Sequence, residues 1–98
     1  MLNLEKSNDL RNYASDFSPN GVPTGKPSPF YVQGGKGARI QDIDGNTYLE
    51  YWCGAGPVIL GHANSVVNAA VIKAIEAGNV QFSIPSSLEV ELMAKLVK

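Results

Sequence analysis

Along the 98-residue chain the spacing of apolar positions changes twice. Between residues 2 and 17, Leu2, Leu10, Tyr13, Ala14 and Phe17 form an uneven stripe that predicts a short amphipathic helix. From Phe30 the pattern shortens to three runs, "FYVQ", "ARIQDI" and "TYLEYW", rich in aromatic and β-branched residues. Such runs predict strands. "GGKG" (34–37) separates the first two and "DGN" (44–46) the last two, so the expectation is a three-stranded antiparallel meander. In the third run Tyr48, Glu50 and Trp52 alternate with Leu49 and Tyr51, which assigns them to opposite faces of one strand. Three- and four-residue spacing then returns. Val67, Ala70, Val71, Ala74 and Ile75 predict a helix over 64–78, and Leu88, Leu92 and Leu96, with Met93 and Val97, predict a second.

The connecting stretches carry their own signals. "SPNGVPTGKPSP" (18–29) holds four of the six prolines and reads as a loop. "CGAGPVILGHAN" (53–64) holds three glycines and a proline and reads as irregular. Asn64 or Ser65 suits the start of the first C-terminal helix, and Gly78 suits its left-handed end. "NVQFSI" (79–84) reads as an extended piece before Pro85. Ser86 and Glu89 match the S-x-x-E capping box. The apolar stripe is still running at Lys98, which predicts a continuation in a longer protein. The chain therefore divides into a helix and small sheet over 1–52 and a Gly-rich segment with two helices over 53–98.

Composition narrows the function classes. The chain is 44% hydrophobic and 17% charged, as soluble globular proteins are. At this length a domain buries only about 60–65% of its unfolded surface, so its core is modest. Eight basic and nine acidic residues are scattered, with no basic stripe. Neither nucleic-acid binding nor membrane-surface binding gains electrostatic support. Cys53 is the one cysteine, so no internal disulfide can form and a reducing compartment fits. No secretory leader or membrane-spanning apolar run stands out, and the cytoplasm is the expected location.

Asp42–Asn46, "DIDGN", poses the sharpest chemical question. Counted as a calcium loop from Asp42, Asp44 and Asn46 fall at ligand positions three and five. Thr47 then stands where the loop needs glycine, and Cys53 where it needs a bidentate glutamate. The flanks are also strand-like rather than helical. A hairpin needs only a residue pair that tolerates positive φ, which Asp44-Gly45 or Gly45-Asn46 supplies. The side chains of Asp42 and Asn46 can then satisfy backbone donors in the turn.

Other candidates are weaker. "GAGPVILG" lacks the glycine spacing of a dinucleotide fingerprint, and no Walker loop is present. "GGKG" is better explained as a turn, while "CGAG" allows close backbone approach to another segment or a ligand. His62 is the sole histidine and reads as a locally hydrogen-bonded turn residue. Cys53 has no base beside it and reads as a small packed residue. Glu89 and Glu91 are spaced too closely to share a helix face. The residues alone thus describe an α+β chain without catalytic machinery. A non-catalytic structural or interaction module, seeking a partner through Leu88, Leu92 and Leu96, is one reading.

The ordered motifs support another. "PNGV" (19–22), "DIDGN" (42–46), "GPVILGHA" (56–63) and "PSSLEVEL" (85–92) together resemble the N-terminal region of class III aminotransferases. These are pyridoxal-phosphate (PLP) enzymes of fold type I, and the likeness is greatest to the glutamate-1-semialdehyde aminomutase branch. The resemblance implies an α+β fragment: the small-domain and linker part of a homodimeric enzyme that moves an amino group between an amino acid and a carbonyl compound. PLP chemistry needs an anchoring lysine and a carboxylate beneath the pyridine nitrogen. In the family both lie beyond the matched region, so the 98 residues alone are expected neither to bind PLP covalently nor to transaminate. What carries over is a wall of the substrate pocket, Trp52, Cys53, Gly54, Ala55 and Gly56, with Phe82 and Ser83 nearby. The branch has Ser-Trp where this chain has Gly54 and Ala55, and Trp52 replaces that aromatic only if the backbone differs. The branch's "SPVR" is likewise replaced by "PTGK" (23–26). Both departures leave room for a related aminotransferase with another amino donor.

Overall fold

The computed structural model describes residues 1–22, 26, 28–78 and 83–98. Helix α1 spans Glu5–Ala14, and a short 3₁₀ turn follows at Pro19–Gly21. Strands β1 (Val32–Lys36), β2 (Arg39–Asp42) and β3 (Thr47–Leu49) form the expected antiparallel meander in the order β1-β2-β3. Helices α2 (Ser65–Glu76) and α3 (Ser87–Val97) complete the described elements. The chain divides into two compact units, Met1–Asn64 and Ser65–Lys98.

Three local expectations are corrected. "GGKG" is not the turn. Gly34, Gly35 and Lys36 lie in β1, and the chain reverses at Gly37-Ala38 between the paired Lys36 and Arg39. The register shifts between Val32 and Gly34, so the glycines follow a bulge, where strand glycines are at home. The third strand stops at Leu49 and does not reach Trp52. Glu50 still donates its N–H to the Ala38 carbonyl at 2.9 Å, after which the chain turns away. Trp52 therefore shares no strand face with Tyr48. Lastly, Ser83 has a φ of 61° and is not extended. Residues 79–82, including Phe82, lie outside the described residues.

Unit one is held less by an apolar core than by polar contacts. Among its described residues Val22 is the buried hydrophobic side chain, whereas Ser7 and Asp42 are fully buried polar ones. Phe30 and Tyr48 stack face to face with centroids 4.4 Å apart. Arg11 on α1 donates to the Ser28 carbonyl at 2.6 Å, and the Tyr31 hydroxyl donates to the Gly21 carbonyl, fastening the proline-rich loop at both sides. In unit two the capping box forms as expected. Ser86 N–H donates to Glu89 Oε2 at 2.7 Å and Glu89 N–H to Ser86 Oγ at 3.4 Å. Gly78 follows α2 with a left-handed φ of 69°. No described residue of α2 or α3 is buried, and Val71, Ile72, Ile75, Leu88, Leu92 and Leu96 are exposed. Among the described residues no helix is long and apolar enough to cross a membrane.

Candidate functional site

The carboxylates of "DIDGN" are occupied by hydrogen-bond donors. Asp42 Oδ1 accepts the N–H of Asp44 at 3.0 Å and of Asn46 at 2.8 Å. Its Oδ2 accepts the Asn46 amide at 2.8 Å and the Tyr48 hydroxyl at 2.6 Å. Burial alone would raise the Asp42 carboxyl, but the bonds from Tyr48, Asn46 and Asp44 outweigh it and hold it below the ordinary range. The same bond to Asp42 pushes the Tyr48 hydroxyl up to about 12. The hairpin reading holds, with a different turn. Only Gly45 in this stretch has a positive φ, 92°, and its N–H reaches the Asp42 carbonyl at 3.1 Å. This is a three-residue loop ending on a left-handed glycine rather than a two-residue pair. Asn46 also acts differently from expectation, because its amide donates, to Asp42 and to the Asn3 carbonyl at 2.6 Å.

Asp44 points the other way, to α1. That helix has Leu4 at its N-cap, whose side chain cannot cap it, and Asn3 Oδ1 accepts only the first N–H, that of Glu5, at 3.1 Å. Asp44 supplies the cap from afar: Oδ1 accepts Lys6 N–H at 2.7 Å, and Oδ2 accepts Ser7 N–H at 3.0 Å and Ser7 Oγ–H at 2.5 Å. A carboxylate there satisfies orphan helix donors and suits the positive end of the helix dipole. Burial would raise the Asp44 carboxyl too, but these donors pull it below its ordinary value. "DIDGN" is thus a clasp between sheet and helix.

The expected pocket wall begins eight residues after Asp44. Cys53, Gly54, Ala55 and Gly56 have consecutive φ values of 51°, 58°, 67° and 109°. L-residues avoid this region at a cost of roughly 1–2 kcal/mol each, so Cys53 and Ala55 are strained where the two glycines are not. Gly56 N–H donates to the carbonyls of Trp52 at 3.1 Å and Cys53 at 2.9 Å, and Val58 N–H to the Cys53 carbonyl at 2.9 Å. Trp52 is 77% exposed. Of the five wall residues, Cys53 lines a cavity of about 280 Å³ together with Glu50, Val58, Leu60, His62 and the Gly37-Ala38 turn.

Two residues that sequence reasoning left out of the site complete it. His62 is not a locally bonded turn residue. Its backbone exchanges bonds of 2.9 and 2.8 Å with Gly37, and its Nε2 lies 3.1 Å from Glu50 Oε2. Gly61 permits that approach: a Cβ there would stand 2.9 Å from Gly37 Cα, and its φ is 85°. Glu50 Oε2 also accepts Gly54 N–H at 3.2 Å. Burial would raise the Glu50 carboxyl, but bonds from His62 and from the Trp52 and Gly54 N–H groups lower it on balance. No sequence pattern announces a glutamate and a histidine meeting across twelve positions.

No protein-family model matches the chain. It is 42% identical over 100 residues to the glutamate-1-semialdehyde 2,1-aminomutase of Methanococcoides burtonii, across 98% of this chain and 24% of that protein. The aminomutase of Archaeoglobus fulgidus is 42% identical over 101 residues, across 99% of this chain and 24% of its own length. A solved structure described as a transaminase with PLP bound superposes with a TM-score of 0.78 at 33% identity, over 93% of this chain and 22% of that one. The chain thus matches one part of these aminomutases and transaminases in sequence and in fold. It spans about a quarter of the length of the curated relatives it matches. An omega-transaminase from Sphaerobacter thermophilus superposes with a TM-score of 0.72 at 34% identity. The meander and helices are therefore part of the fold-type-I transaminase architecture.

Among the described residues, two cavities can be compared with what PLP needs. The cavity at Glu50 has a carboxylate but no lysine among its lining residues, and that carboxylate is engaged by His62 and Gly54. A second cavity, of about 550 Å³, is lined by Lys36, Arg39, Gln33, Gln41 and Thr47 and has no carboxylate. Neither combines the amine and the acid that the cofactor requires.

Proposed function

We propose that these residues are the N-terminal part of a PLP-dependent, class III aminotransferase or aminomutase that moves an amino group between an amino acid and a carbonyl compound. The full protein is then a cytoplasmic homodimer that holds PLP on a lysine outside the 98 residues. Residues 1–52 belong to its small domain, and 53–98 lead into its large domain. Trp52, Cys53, Gly54, Ala55 and Gly56 line the pocket entrance. The observation that carries this reading is 42% identity sustained across 98% of the chain while covering 24% of an aminomutase. The exposed apolar faces of α2 and α3 agree with it, since such faces are normally covered.

A chimera tests the proposal. The matching quarter of the Methanococcoides burtonii aminomutase is replaced by these 98 residues. The expected product binds PLP and either isomerises glutamate-1-semialdehyde or transfers its amino group from another donor. A chimera that folds and binds PLP yet does neither, across a panel of amino donors, overturns the reading.

A further inference from the structure

Four consecutive left-handed residues do not hold themselves in place. Glycine tolerates the region, but Cys53 and Ala55 relax out of it unless their surroundings over-determine the backbone. The bonds from Gly56 and Val58 back to Trp52 and Cys53 close the turn on itself and fix nothing outside it. The bond from Gly54 N–H to Glu50 Oε2 does leave the turn, and it reaches the residue that directly follows β3. Glu50 is itself fixed by its N–H bond to Ala38. The oxygen that takes Gly54 also takes His62 Nε2, and His62 is pinned to Gly37 through both backbone groups. The end of β3, the β1–β2 turn and the end of the Gly-rich passage thus converge on one carboxylate, whose side chain is 14% exposed.

We propose that Glu50, backed by His62, is the positioning residue of the Trp52–Gly56 turn, its carboxylate holding the turn left-handed and so setting the direction of Trp52. The link to a substrate pocket rests on the aminotransferase reading; the positioning itself does not. Among the described residues the titratable groups that share the cavity with Glu50 are His62 and Cys53. Because the Glu50 carboxyl is held below its ordinary value, the hold on the turn is at full strength above the usual glutamate range and weakens as pH falls through the lowered value, the neutral acid keeping an acceptor oxygen for Gly54.

The test uses the full 98-residue chain and two readouts. Trp52 is the sole tryptophan, so its emission and its quenching by iodide report the turn directly. Amide exchange at Gly54 reports the bond itself. Gly45, whose N–H is held by the Asp42 carbonyl at 3.1 Å, serves as a reference in the same unit. Glu50→Ala is expected to speed exchange at Gly54 by roughly tenfold or more and to shift Trp52 emission, with Gly45 changed by less than about twofold. Glu50→Gln, which keeps an acceptor oxygen, restores most of the protection, and His62→Ala gives a smaller acceleration of about threefold. Unprotected Gly54 in the wild type overturns the proposal. So does unchanged Gly54 in Glu50→Ala, or Gly45 and Gly54 accelerating together, which would mean general loosening. None of these measurements involves amino transfer. A chimera without activity would sink the functional reading and leave the positioning role standing. In an active chimera, Glu50→Ala raises KM more than it lowers kcat.

Discussion

Two turns lie within fifteen residues of each other, and they are built on opposite plans. The hairpin at Asp42–Asn46 keeps ordinary backbone angles except at one glycine, and its Asp42 carboxylate accepts four hydrogen bonds while fully buried. The passage at Cys53–Gly56 puts every residue in the left-handed region and leans on Glu50, which is partly open to water. The first turn is over-determined: losing one bond leaves three. The second combines stored strain with few restraints, the combination found where a backbone must be presented in a shape the chain would not choose unaided. A carboxylate can serve either plan. Its number of partners decides which.

The contrast can be broken most forcefully at Asp42. Asp42→Ala removes the acceptor of Tyr48 and Asn46 and frees two turn N–H groups. Thermal unfolding followed by circular dichroism should show Tm lower by roughly 15 °C. A shift under a few degrees would mean that the clasp is not what holds the sheet. Next in size is Gly61→Ala, which sets a methyl against Gly37 and forces a left-handed alanine. The expected loss is about 2 kcal/mol, near 10 °C in Tm, together with His62–Gly37 pairing by NMR.

Titration separates the regions more finely. Asp42, Asp44 and Glu50 all ionise below their ordinary range, so their contributions are fully present above the usual carboxylate pKa and vanish as pH falls through the lowered values. Tyr48 runs the other way. With its pKa raised from 10.0 to about 12, its contribution is intact below 10 and lost as pH rises toward 12. Ultraviolet difference absorbance should therefore show one of the four tyrosines ionising late, and Asp42→Ala should remove the largest cause and move it back toward normal. The smallest effect sharpens the comparison from the other side. Ala55→Gly relieves left-handed strain and should stabilise the chain by about 0.5 kcal/mol, or about 3 °C, after the entropy cost of glycine. A destabilisation would show that Ala55 is not strained.

How much of this could be read from the sequence follows from the range of each interaction. The hairpin at Gly45, the left-handed end at Gly78 and the Ser86–Glu89 box depend on residues at most four positions apart, and all were legible. The order of elements was legible because apolar periodicity is a local signal. "GGKG" misled because glycine marks a bulge as readily as a turn. "TYLEYW" misled because alternation persists after pairing has stopped. Asp44 reaching Ser7, and Glu50 reaching His62, were beyond sequence reasoning, since nothing in a spacing says which distant donor will meet a carboxylate. Left-handed Cys53 and Ala55 run against residue preference, so propensity pointed away from them. The five proposed wall residues were placed by resemblance, whereas Glu50 and His62 emerged only from geometry.

The distant cap on α1 also sets a schedule. A ten-residue helix is marginal alone in water, and this one receives the acceptor for its Lys6 and Ser7 N–H groups from a residue 38 positions after Lys6. As the chain leaves the ribosome, the helix emerges first and stays unfinished until the hairpin has been made. At about 5–20 residues per second, that wait is roughly 2–8 seconds. The first element in the sequence is thus finished only after the hairpin that caps it, and the timing of its maturation is written in a turn that has not yet been translated.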